Sequence, residues 1–157
     1  MQLIRITALA ALLLQLPTMA MAEEAVINTM KSLSAKSLAC TTGINTAIAG
    51  FDATKSSDKL KQAMLTGANL DQLTTGERSY YTELQTTSAT CAQATTMHQA
   101  LLNELTAILS AGKALPVEAR TEFNKMDAAF KAANEAMSQA SKVAVFAHVL
   151  HRTGSGQ

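Results

Sequence analysis

The chain has 157 residues, with 13 Lys+Arg against 12 Asp+Glu and a formal net charge of +1. That is the length of one domain, and the near-neutral balance argues against nucleic acid, whose phosphates are bound through excess positive charge. Tryptophan is absent, prolines number 2 and aromatics are 4%, which is the composition of helices rather than of strands punctuated by Gly and Pro.

The opening stretch MQLIRITALAALLLQLPTMAMA reads as a secretory signal peptide. Arg5 supplies the positive start, residues 6–14 the short apolar run, and Ala20-Met21-Ala22 the small-x-small cleavage site. The run is shorter than the roughly 20 residues a bilayer span needs. The expected product begins at Glu23, has no membrane span, and works in the periplasm or outside the cell. Losing Arg5 leaves the mature chain formally neutral.

Residues 26–51 carry a seam of Val26, Met30, Leu33, Ser37, Cys40, Ile44, Ala47 and Phe51, whose alternating spacing of four and three predicts one buried helical stripe. Gly50 and the polar run 52–58 stop it. Ser56 or Ser57 caps a short helix over about residues 58–68, with Leu60, Ala63 and Met64 on one side. A long helix then opens at Thr74 and Glu77, which have the spacing of a capping box. Its seam is Tyr81, Leu84, Ser88, Cys91, Thr95, His98, Leu102, Leu105 and Leu109, and Gly112 ends it. Pro116 suits the first turn of a third long helix, with a seam of Phe123, Met126, Phe130, Ala133, Met137, Ala140 and Ala144 continuing toward His148 and His151. Residues 153–157 read as a frayed tail. The expected fold is all-α: an elongated antiparallel three-helix bundle over residues 23–152, with a short extra helix in the crossover.

Cys40 and Cys91 are the only cysteines. Each falls mid-helix on a buried stripe, which in an oxidising compartment predicts a disulfide stapling the first long helix to the second. Neither has the C-x-x-C spacing or helix N-terminus of a redox-active thiolate. The staple also sets register. Position i of the first helix lies level with about 131 minus i on the second, and the short link at 112–116 levels the third helix with the second at about 229 minus i. Phe51, Tyr80, Tyr81, Phe146 and His148 then gather at one end, which the crossover must cap. A cap over aromatic and histidine side chains is a place for a pocket or a contact.

For catalysis there is no G-x-S-x-G and no H-E-x-x-H, and the carboxylates Glu104, Glu118, Glu122 and Asp127 fit solvated faces or ion pairs. A non-enzymatic protein without cofactor is expected. The rival is a haem or metal carrier using His98, which the register sets within about two turns of Met30 and Met126, a His-and-Met set able to ligate haem or copper. His148 and His151, at i and i+3, lack a neighbouring acid for a divalent ion. Apolar residues beyond one stripe, Ile27, Leu38, Leu101 and Ile108 among them, favour an interaction protein. The run Val143 to Leu150 is apolar nearly all round, so either the crossover covers it or a partner or second copy does. The expected function is therefore an exported bundle that binds another protein, as envelope adaptors and immunity-type proteins do, at Phe51, Tyr80, Tyr81, Phe146 and His148.

Overall fold

The computed structural model describes the backbone of residues 4–52 and 55–154, and the side chains of residues 23–52 and 55–153. The residues on which the leader reading rests, and positions 155–157 of the expected tail, lie outside the described residues or side chains. Among the described residues five α-helices follow in order: α1 Ile4–Gly50, α2 Asp58–Thr66, α3 Thr75–Ser110, α4 Val117–Ala140 and α5 Ala144–Gly154, with a 3-10 turn at Leu70–Gln72 before α3. Among the described residues no helix is long and apolar enough to cross a membrane.

Local chemistry sets most of the boundaries. Ser57 sits at the N-cap of α2 with its hydroxyl accepting from the Leu60 amide, and Gly67 ends that helix in the left-handed region at φ 76°, which only glycine enters without strain. At Thr74 the full capping box forms, the hydroxyl accepting from the Glu77 amide while the Glu77 carboxylate accepts from the Thr74 amide. Gly112, at φ 72°, closes α3. Pro116 stands one residue earlier than its predicted place in the first turn, as the N-cap of α4.

α1 packs along both α3 and α4, whereas α3 and α4 make only slight contact with each other. The predicted α1 seam is buried from Val26 to Ala47, with Phe51 half-buried at its end. The α3 seam holds for Tyr81, Leu84, Ser88, Cys91 and Leu105. Of the rest, Thr95 is exposed, His98 and Leu102 are half-buried and Leu109 is 55% exposed, while Ala94 and Leu101 take core positions instead. A stripe followed by steps of seven falls behind a 3.6-residue helix by about 20° per heptad, so over nearly thirty residues the true core face moves to neighbouring positions.

Cys40 and Cys91 are joined, with Cα atoms 5.0 Å apart. Cross-linking a loop of this length stabilises by about 4 kcal/mol in the chain-entropy picture. The register follows from it: Lys36 Nζ donates to Gln93 Oε1 at 2.9 Å, and Tyr80 donates its hydroxyl proton to the Ala47 carbonyl at 2.8 Å. Along α4, His98 stacks on Phe130 with ring centroids 3.8 Å apart, the level the short link sets.

The third long helix departs from expectation. Instead of running on to residue 152, it breaks at 141–143 and the chain turns back as α5. Phe146 meets Phe51 edge to face at 5.3 Å, Leu150 lies beside Met137 and Cys91, and the Thr153 hydroxyl reaches Ser88. By the expected register a continuous helix would have ended level with the first turn of α3; the turn instead lays the last residues against α2 and α3. Ser141 carries its hydroxyl back to the Met137 carbonyl at 2.8 Å, a bond that competes with helix continuation. The reward is burial, because Phe146 and Val149 are each 1% exposed. The crossover covers Phe146 and Val149 of the apolar run while Val143 and Ala144 stay exposed, and helical structure reaches Gly154, two residues into the expected tail.

Candidate functional site

At the crossover end α1 finishes at Gly50, α2 and α5 cross over it, and the N-terminal turns of α3 rise beside them. Phe51, Tyr80, Tyr81 and Phe146 join one apolar cluster there with Met64, Leu60 and Leu73. Adjacent positions in sequence take different roles. Tyr81 and Phe146 are 1% exposed and form the floor, whereas Phe51 and Tyr80 are half-buried and His148 is exposed on α5. The five residues expected to meet a partner thus share one end, but only three of them reach the surface.

Polar groups fix this end. Arg152 donates to the Leu65 and Met64 carbonyls, both at 2.7 Å, and to the Tyr81 hydroxyl at 3.3 Å. These are the last carbonyls of α2, which have no intrahelical donors. Arg152 was not singled out in the sequence, although a basic residue in a final helical turn is a familiar partner for helix-terminal carbonyls. Burial pushes the Tyr80 hydroxyl up to about 12, so it stays a neutral donor. The Ser57 hydroxyl donates to the Glu77 carboxylate that also closes the α3 capping box. Those hydrogen bonds, first from Ser57 and then from Thr74, hold Glu77 below its ordinary value.

The His98 neighbourhood lies on the opposite half of α3. Its ring lies nearly parallel to Phe130, 11° between planes. Burial lowers its affinity for a proton, opposed by the Asp127 carboxylate, which itself pairs with Lys131 at 2.7 Å. Met30 and Met126 are fully buried in the core cluster of this half, so the three residues of the proposed ligand set divide between a half-exposed ring and two core thioethers. Among the described residues no group of three or more His, Cys, Asp or Glu stands together.

A groove of about 440 Å³ runs between α1 and α3, lined by Gly43, Thr46, Ala47, Gly50, Tyr80 and Thr87 among others, with Glu83 at its edge. It ends at Tyr80, beside the aromatic end. A Cβ at Gly43 would meet Thr87 and one at Gly50 would touch Tyr80, both of which line it. Compared with known proteins, the chain matches no family model, no curated protein and no solved structure.

Proposed function

We propose that this is an exported, non-enzymatic helical-bundle protein that binds another protein through its crossover end. The observation that carries the reading is the layering there: Phe51, Tyr80 and His148 stand at the surface over a floor of Tyr81 and Phe146 that is locked by the disulfide, the Arg152 clamp and the double cap at Glu77. Partly exposed aromatics on a rigid base are favourable anchors, since little side-chain entropy is lost when a partner covers them. Export rests on the leader pattern of the first 22 residues and on the staple, which oxidising compartments preserve.

Phe146→Asp is unsuited to testing this end, because a charge at a fully buried position would unfold it. A photo-crosslinking amino acid at position 148, compared with one at the exposed Val117 of the opposite end, separates the possibilities in cells. Crosslinks to one defined protein from position 148 and none from 117 support the reading. No crosslink from 148, or the same products from both ends, would contradict it.

A further inference from the structure

We propose that α5 is a latch over the Cys40–Cys91 staple, and that lifting it opens the Cys91 sulfur to attack by the thiolate of a dithiol reductant. With α5 in place the bridge is sealed, Cys40 being 0% and Cys91 1% exposed. The two ends of the bridge are sealed differently. Cys40 shares a core cluster with Ala133, Ala136 and Ala140 of α4, the helix along which α1 packs most extensively, so reaching it means parting the centre of the bundle. Cys91 borders a hollow of about 240 Å³ walled by its α3 neighbours, by Met137 of α4 and by Leu150 of α5. No residue of α1 lines that hollow, so a molecule entering it meets Cys91 and not Cys40.

The attachments of α5 are local. It packs on α2 and α3 but scarcely on α4, from which residues 141–143 separate it. Arg152 holds it to the Met64 and Leu65 carbonyls, and the Thr153 hydroxyl meets that of Ser88, about one turn before Cys91. Losing these bonds and the burial of Phe146 and Val149 leaves the packing of α1 on α3 and α4 in place, which makes α5 a unit able to open without global unfolding. The exchange then balances. A thiolate attacks Cys91 Sγ to form a mixed disulfide and releases Cys40 as a thiolate; the second thiol of the reductant displaces Cys91 and leaves as the reductant's own disulfide, so two electrons and two protons pass to the protein. Because Phe146 floors the crossover end, opening for attack also dismantles that floor, and reduction opposes partner binding there. This last consequence rests on the proposed partner-binding end; thiol access to Cys91 does not.

The test is the rate at which dithiothreitol reduces oxidised protein, purified from cells expressing the full chain, without denaturant. Arg152→Ala should accelerate reduction by about tenfold, and the rate should change little with urea below the unfolding transition, since lifting one short helix exposes little surface. Leu101→Val, a loss of packing in the other core cluster, should leave the rate as it is. With glutathione in place of dithiothreitol and rapid alkylation, the mixed disulfide should map to Cys91 and the alkyl group to Cys40. An unchanged rate in Arg152→Ala, equal acceleration by Leu101→Val, or a steep urea dependence from the outset would each show that the staple is reached only by global unfolding and overturn the latch; glutathione on Cys40 would overturn the side of attack.

Discussion

A Cβ atom added to Gly43 would lie 2.6 Å from both Cγ2 and Oγ1 of Thr87. The helices cannot slide apart to admit it, because the Cys40–Cys91 bridge holds their Cα atoms at 5.0 Å about one turn away. Gly43→Ala should then cost about 1–3 kcal/mol by overpacking, despite the better helix propensity of alanine. Urea unfolding should show a lower midpoint at unchanged slope, and Gly43→Ala with Thr87→Ala should recover most of the loss. An unchanged midpoint in the single variant would mean that the crossing is looser than described.

Acid should destabilise the protein in two steps. His98 binds its proton less readily than the ordinary 6.5, so the unfolded chain takes up more protons and stability falls as pH drops below that value. Glu77, held below its ordinary 4.5 by Ser57 and Thr74, contributes stability that is present above that value and lost as pH falls through its folded value. Thermal melts across this range should show both phases. Glu77→Gln should remove the lower phase alone, and His98→Gln the upper alone.

Ser37 is fully buried on the α1 seam, and its hydroxyl has no hydrogen-bond partner. Desolvating such a group without compensation costs about 1–3 kcal/mol. Ser37→Ala removes the group without changing the packing volume greatly, and should raise stability by about 1 kcal/mol. A loss of stability in denaturant titration would indicate that the hydroxyl is bonded in solution.

Arg152 ties α5 to α2 through two hydrogen bonds and to Tyr81 of α3 through a third. Arg152→Ala should leave the terminal carbonyls of α2 without donors at a cost of about 1–3 kcal/mol. Hydrogen exchange should localise the effect, with α5 and α2 amides exchanging faster while the centre of α3 keeps its protection. Uniform loss across all helices would argue that α5 is part of one cooperative core.

The helix starts at Ser57 and Thr74 and the stop at Gly112 were legible because capping is local chemistry, decided by residues within a turn of one another. The cysteine pair extended that reach: one long-range contact in a stiff helix pair set the level of Gly43 against Thr87 and of Tyr80 against Ala47. The turn at 141–143 was not legible, since Ser141 and Lys142 are not strong breakers and the gain that favours the hairpin comes from burying Phe146 and Val149 against distant elements. For the same reason the sequence placed the five residues of the candidate site together but could not sort them. That Tyr81 and Phe146 are floor and Tyr80 and His148 surface follows from where α5 returns.

The most direct measurement is native mass spectrometry of the protein recovered gently from the envelope of cells expressing the full chain. The expected species is a chain beginning at Glu23, lighter than its reduced form by the two hydrogens lost at Cys40 and Cys91, and carrying additional mass that belongs to another protein. A bare monomer retaining its first 22 residues with two free thiols, or a mass increment matching haem, would contradict it.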